Sequence, residues 1–323
     1  MPAGVSRAAV RPVDPVLTRW MVVQAQRETA FIADIAFPPD YREGESSGTF
    51  FRATDGFRTF GNQDIERAPG APFERLSFGL ATATFRTQSF GVEIPIDDDL
   101  AAESQTPMQL SRLATIRGMR EIMVRREVRV AAACFVTGVW TSETTIAGGS
   151  EWDAAAGDAL GNIWTCKRNV LLNSGQDANA AILGYDTFRV AVQNGDLQSL
   201  MPDAQRVGQL TELQLAANLR EAFEVETLMI GRSVRVTSRE GATEVAGFTW
   251  ADNALFYSKG EGAEGDGSPG AFAQFASTSG GSPTVVETYR DEGILSDVVR
   301  VRENRDEVVV DPDQGHLLIN CAA

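Results

Sequence analysis

Read from the N-terminus, the hydrophobic pattern is at first too irregular to specify a packed element. Residues 1–36 hold scattered apolar positions and two early prolines, Pro12 and Pro15, which predicts an extended arm with a short helix around Leu17 to Thr29. Arms of this kind rarely hold themselves in place. From Phe37 the chain turns to Gly, Thr, Phe and Arg, with Phe50, Phe51, Phe57, Phe60, Phe73, Phe78, Phe85 and Phe90 in close succession. Period-two runs such as Ala81 to Thr87 predict strands, and Gly48, Gly56, Gly61 and Gly70 predict turns. Together they read as a long two-stranded hairpin with an irregular tip over 37–92. Such a ribbon buries little of its own surface, so its aromatics need another surface to cover them.

The period then changes. Gly91 to Leu100 reads as a short strand ending in an acidic turn, and a helix start follows, with Thr106 as N-cap, Pro107 at the first helical position and Gln109 completing a capping box. Nothing but Gly118 opposes a helix from there to about Phe135, a span of roughly 42 Å at 1.5 Å per residue. Its apolar residues, Leu110 to Val128, do not form one narrow stripe, the pattern of a helix touched on several sides and by more than one subunit.

Past a Gly/Ser/Thr-rich linker, Thr141 to Ser150, helices and strands alternate. Leu160 to Leu172 is predicted helical and stopped by Asn173-Ser174-Gly175, Ala180 to Gly184 is a short buried strand, and Thr187 to Val192 is helical. Thr211-Glu-Leu-Gln opens a second capping box and a helix to about Phe223, followed by a strand over Glu226 to Gly231. Gly247 to Tyr257 reads as strand, turn, strand. The last forty residues alternate Val with charge and close on Leu317-Leu318-Ile319. The chain is therefore of the mixed α+β class.

Composition narrows the chemistry. The 323 residues allow two domains or one body with large insertions. Lys167 and Lys259 are the only lysines, His316 the only histidine, and the net charge is −15. One histidine cannot supply a multi-histidine metal site, and neither lysine provides a P-loop Gly-Lys step. Three widely spaced cysteines, Cys134, Cys166 and Cys321, form neither a disulfide framework nor a zinc cluster. The longest nearly apolar run, Val128 to Trp140, is interrupted by Arg129 and is too short to span a bilayer. Residues 93–106 hold 5 acids and no base, whereas 107–135 hold 6 arginines and 2 glutamates. We read these arginines as pairing with carboxylates of neighbouring segments or subunits, which argues against tight binding of DNA.

Motifs with literal matches fail on context. Gly260 to Gly265 fits Gly-x-Gly-x-x-Gly, but Glu261, Glu264 and Asp266 would repel a pyrophosphate, so a flexible loop is expected. Asp97-Asp98-Asp99 and Asp311-Pro312-Asp313 lack the spacing of a calcium loop and read as solvated turns. His316 is expected at the surface or a strand edge, Cys134 in packing, and Trp140, Trp152, Trp164 and Trp250 as core or interface anchors. No catalytic, cofactor or metal site emerges.

The order of parts resembles the major capsid proteins of tailed phages with the Hong Kong 97-like fold. Local stretches resemble that family too: Val92-Glu-Ile-Pro-Ile-Asp-Asp before the helix, Arg125-Arg-Glu-Val within it, and Phe135-Val-Thr-Gly-Val-Trp140 at its end. Others are Ala159-Leu-Gly-Asn-Ile, Ala181-Ile-Leu-Gly, Leu213 to Phe223, Phe248 to Tyr257 and Val298 to Val309. The resemblance implies an N-terminal arm (1–36), an extended β-hairpin loop (37–92), a peripheral domain (93–150) with a spine helix at 107–135, an axial domain (151–283), and peripheral return strands (284–323). It implies a non-enzymatic subunit that self-assembles into hexamers and pentamers of an icosahedral virion head around double-stranded DNA, in the host cytoplasm. Implied partners are a scaffolding protein, a portal protein and a cement or decoration protein, with only weak non-specific contact to the packaged DNA and no membrane. Assembly contacts are expected at Phe50, Phe51, Phe57, Phe60, Arg125, Arg126 and Trp140. Some members cross-link a loop lysine to an asparagine, but residues 37–92 contain no lysine, so contacts there are non-covalent. About 36 residues precede the loop, which points to a separate scaffold. The alternatives are an encapsulin-type compartment shell of the same fold, and a carboxylate-dependent enzyme using Asp97 to Asp99.

Overall fold

The computed structural model describes residues 14–25, 30–53, 66–67, 69–70, 80–103, 107–201, 210–239, 241–260, 271–278 and 283–322. The predicted capping box at Thr106, the hairpin tip and nearly all of the Gly260–Gly265 motif lie outside them.

A first sheet is organised around one long strand, β13 (Ser296–Val309). One edge of β13 pairs antiparallel with β4 (Gln88–Asp97) over Ser296 to Arg305. The other edge pairs antiparallel with β12 (Thr284–Asp291), then with β11 (Phe272–Thr278) from Asn304 onward. A parallel strand, β1 (Pro39–Glu43), adds to β11. Across this sheet lies α4 (Pro107–Cys134), 28 residues long as the sequence predicts. Gly118 sits at the crossing, where an added Cβ would lie 2.9 Å from Val301 Cγ2. The glycine that weakens the helix locally is the one that lets it approach β13. Met119, Ile122, Met123, Val286, Val299 and Val301 form the core between them.

The arm departs from expectation. A helix does form, α1 (Pro15–Ala25), with the Asp14 carboxylate accepting from the backbone N–H groups of Val16 and Leu17. It docks on its own chain: Leu17 and Met21 join the α4–sheet core, and Asp14 N–H donates to the Val286 carbonyl at 3.0 Å. Apolar anchors at i and i+4 hold this part of the arm down. A four-residue turn, α2 (Ala33–Ala36), follows.

A second sheet has the order β5 (Ser142–Thr145), β14 (Gly315–Ile319), β10 (Ala254–Tyr257), β6 (Ala180–Gly184), β7 (Thr227–Gly231). Both of its faces are buried, which the uninterrupted apolar run of β6 requires. Ala181, Leu183, Ala254, Phe256 and Leu318 face a layer built by α5 (Ala159–Ser174), α6 (Tyr185–Gln193), α7 (Gly195–Leu200) and α8 (Glu212–Phe223). Ile182, Leu255, Tyr257 and Leu317 face the C-terminal end of α4 with Trp140 and Trp250. The lack of a single apolar stripe on α4 thus has an intrachain cause: its two halves meet two different cores.

Local signals explain the helix ends. Asp158 caps α5 by accepting from Gly161 N–H at 2.8 Å, Gly175 stops it at φ 73°, and Thr211 with Gln214 forms the predicted capping box of α8. The linker and α7 differ from the sequence reading. Part of the predicted linker pairs in parallel with β14 as β5, and α7 is a short helix capped by Asn194. Neither sheet is built from one continuous stretch of chain, since β5 and β14 join the second sheet and β11 the first.

The ribbon begins as expected. β2 (Ser47–Ala53) and β3 (Leu80–Arg86) pair antiparallel, Ser47 opposite Arg86 and Ala53 opposite Leu80. At its base, however, Phe50 and Phe85 are covered by the chain itself, with ring centroids 5.2 and 4.2 Å from that of Phe275. A short helix, α3 (Asp98–Glu103), opens on the acidic turn, and separately β8 (Val234–Val236) and β9 (Ala246–Phe248) pair as a second small hairpin.

One glycine gives a direct test of this packing. An added Cβ on Gly315 would lie 2.3 Å from the Trp140 ring, whereas one on Gly195 meets nothing within 4 Å. Gly315→Ala is predicted to cost at least about 1–3 kcal/mol of stability by overpacking, and Gly195→Ala to cost nothing, in chemical denaturation of the purified chain.

Candidate functional site

The densest polar constellation lies where α4 crosses β13. Along that strand Val299, Val301, Glu303, Arg305 and Glu307 share one parity and so one face. The first two are apolar core, whereas the next three carry charge beneath the helix. Glu303 is 1% exposed and Arg305 2%. Arg126 of α4 donates to the Glu303 carboxylate through Nη2, and through Nη1 to Asp34 of α2 at 2.6 Å. Arg129, one turn on, reaches Glu303 at 3.0 Å and Glu307 at 3.1 Å, and its guanidinium lies 3.7 Å from the Phe90 ring centroid. Arg305 donates to Asp34 at 2.8 Å and to Gln274 Oε1 at 3.0 Å.

The same cluster grips α2. Gln274 Nε2 donates to the carbonyls of Ala33 and Phe37, both at 2.8 Å, and Tyr257 Oη–H donates to the Ala36 carbonyl at 2.7 Å. Glu127 accepts from Ala33 N–H and from Trp250 Nε1–H, both at 2.6 Å. A turn this short cannot satisfy its own ends, so the body supplies their partners.

Electrostatics follow from burial and pairing. Burial opposes ionisation of Glu303, but Arg126, Arg305 and Arg129 outweigh it and hold its carboxyl below the usual range. Burial would lower Arg126, yet Glu303 and Asp34 raise it. Glu127 forms no salt bridge among the described residues, and burial lifts it to about 6 despite the hydrogen bonds it accepts from Ala33 and Trp250. His316 is a correction to the sequence reading: it is 1% exposed in β14, between β10 and β5, where its Nε2 pairs with Thr144 Oγ1 at 3.0 Å. Burial pushes it down to about 4, against the pull of Glu143.

The arrangement ties elements of the chain to one another: each of these side chains bonds a different element, with Arg126 Nε and Arg305 Nε alone of the cluster's arginine nitrogens buried without a hydrogen bond. Among the described residues no group of three or more His, Cys, Asp or Glu is placed to hold a metal ion. Asp97 to Asp99 are turn residues: Asp97 accepts from Asp99 N–H at 2.9 Å, and Asp98 takes both Nη atoms of Arg290 at 2.5 Å. No described helix is long and apolar enough to cross a membrane.

The expected contact residues separate accordingly. Phe50, Arg126 and Trp140 are buried inside the chain; Trp140 covers Gly315 and donates Nε1–H to the Cys134 carbonyl at 2.7 Å. All three pack against other parts of the same chain. Arg125 is exposed and, among the described residues, pairs with Glu121 alone, one turn back on α4. Phe51 lies in β2 opposite Thr82, and Phe57 and Phe60 fall outside the described residues. Sequence reasoning missed Asp34, Glu127, Gln274, Glu303 and Arg305. The available signal was that Glu303 and Arg305 continue the parity of the buried valines.

No protein-family model matches the chain, and no curated protein matches it in sequence. Solved structures do match in fold. A phage-related protein from Bordetella bronchiseptica RB50 superposes with a TM-score of 0.71 at 18% identity, over 96% of this chain and 98% of that one. A protein described as a prophage capsid protein, from Escherichia coli CFT073, gives 0.56 at 12% identity over 95% and 98%. The subunit of a virus-like particle from Pyrococcus furiosus gives 0.52 at 9% over 94% and 98%.

Two consequences of the buried cluster are measurable. Glu303→Gln leaves three guanidiniums short of an anion and is predicted to cost about 3–5 kcal/mol, against under about 0.5 kcal/mol for Arg125→Ala, whose i,i+4 pair is exposed. Glu127 and His316 act oppositely on stability between pH 4 and 6.5. The Glu127 carboxyl binds its proton more tightly folded than unfolded, so its contribution, about 2 kcal/mol for a shift from 4.5 to about 6, is present at pH 4 and lost as pH rises through 6. Folded His316 sheds its proton early, so its contribution grows from pH 4 to 6.5. Urea denaturation against pH should show Glu127→Gln removing the falling part and His316→Asn the rising part.

What the chain shares with these structures, end to end, is a mixed α+β fold found in phage capsid subunits.

Proposed function

We propose that this chain is the major capsid subunit of a tailed phage, assembling into hexamers and pentamers of an icosahedral head that encloses double-stranded DNA. The observation that carries the reading is the end-to-end likeness in fold to a phage-related protein and to a prophage capsid protein, which together leave almost no part of this chain unmatched. The first sheet with α4 is the peripheral domain and its spine helix, the second sheet with its helices is the axial domain, and β2–β3 begins the extended loop. Neighbouring copies, a scaffolding protein, a portal and a cement or decoration protein are the partners, and the virion is the destination. With no lysine between residues 37 and 92, the loop holds its neighbours without isopeptide bonds. The likeness to a Pyrococcus virus-like particle supports shell formation in general, at a lower TM-score and identity than the phage-related protein.

Electron microscopy of the chain expressed with its scaffolding protein should show shells or capsomers; a stable monomer under all conditions would overturn the reading. Replacing residues 56–77 by an Asn-Gly turn keeps Phe50 and Phe85 on Phe275. It is predicted to leave melting within a few degrees of wild type while abolishing shells in the same micrographs.

A further inference from the structure

The six arginines of α4 fall into two groups. Arg126 and Arg129 turn inward to the carboxylates of β13. Arg112, Arg117, Arg120 and Arg125 are all exposed, and among the described residues only Arg125 of these four has a carboxylate partner. At 100° per residue Arg112, Arg120 and Arg117 fan over roughly 140° of the solvent side with Arg125 about 80° further round, and from first to last the four span about 20 Å of helix axis. The carboxylates flanking Arg117 are Glu93, which is bonded to Arg300, and Glu121, which is bonded to Arg125. Counting these four arginines and Glu121, this stretch of α4 itself carries a net charge of +3 on a chain whose total is −15. At ~0.15 M salt, charges more than about 8 Å away are largely screened, so the local sign decides what approaches.

We infer that this face of α4 binds the phosphate backbone of double-stranded nucleic acid without sequence preference. The inference rests on the shell reading above for its biological setting, though not for its chemistry. Planar guanidiniums pair with phosphate oxygens in a bidentate manner, and several of them on one exposed face release condensed counterions as it docks. A protein partner fits less well. Protein interfaces are depleted in charge at their centre, whereas the only exposed large apolar residue described on α4 is Leu113. The contact is weak by design of the whole chain: the acidic remainder keeps the nucleic acid from adhering elsewhere.

The test uses the full-length unassembled chain and fluorescent 40-bp duplexes of two unrelated sequences, with anisotropy read from 25 to 200 mM salt. Both duplexes should bind alike. Arg112→Gln, Arg117→Gln and Arg120→Gln combined should weaken binding about 10- to 100-fold at the lowest salt and flatten the log K against log salt slope by about 2 to 3. A control with the same charge change, Arg189→Gln, Arg220→Gln and Arg235→Gln, should change the slope by less than about 1. Equal effects of the two triple variants, or an unaltered slope in the first, would overturn the inference. If the first variant binds duplex like wild type but fails to form shells in micrographs, the face contacts protein instead, which also overturns it. If wild type binds duplex through this face yet never forms shells under any condition, the shell reading fails and the phosphate site stands.

Discussion

The angle at which the long helix crosses the first sheet is set by charge, not by apolar packing alone. Where the valines of β13 end, Glu303 becomes the shared anion of Arg126, Arg129 and Arg305, and Asp34 closes the cluster from the arm side. Apolar surfaces can slide past one another at modest cost, but a buried carboxylate with three guanidinium neighbours has one satisfactory geometry. Because α2 is held by the same groups, the entry of the chain into the body, the crossing of α4 and the register of β13 against β11 are fixed together. Loss of any one member leaves the others charged and dry.

That constraint also explains what was legible in the sequence. Elements whose cause is local were readable: the Thr211–Gln214 box of α8, the Asn-Ser-Gly stop of α5, the apolar run of β6 and the 28 residues of α4. Elements caused by distant partners were not. β5 is a strand because β14 offers it an edge, and nothing in Ser-Glu-Thr-Thr alone demands one. His316 looks like an ordinary polar residue beside a glycine until β10 and β5 close over it. Glu303 and Arg305 look like solvated strand residues until a helix bearing two arginines lies across them. Phe50 and Phe85 were seen as needing cover, but the cover proved to be Phe275, more than 180 residues away along the chain.

The arginine-rich block of the sequence is thus not one feature but two, separated by helix phase. A one-residue step from Arg125 to Arg126 moves a guanidinium from 70% side-chain exposure to 8%. The inner set holds the fold together, and the outer set faces solvent. The chain contains the same division on a larger scale, with polar interactions used inside at the crossing and apolar residues such as Trp164 and Leu213 left outside on the helices of the second sheet. Exposed apolar side chains of this size stand out on a body whose interior spends so much charge.

The position of β14 bears on when that body comes into being. This strand, five residues from near the C-terminus, sits between β10 and β5 in the interior of the second sheet and supplies Leu317 and Leu318 to the two opposite cores. β14 is the latest in the chain of that sheet's five strands, so β5 has no partner and Trp140 no glycine to lie on until Gly315 to Ile319 are in place. The second sheet therefore closes through a pairing of residues about 170 positions apart, which makes its completion a non-local and slow step of folding.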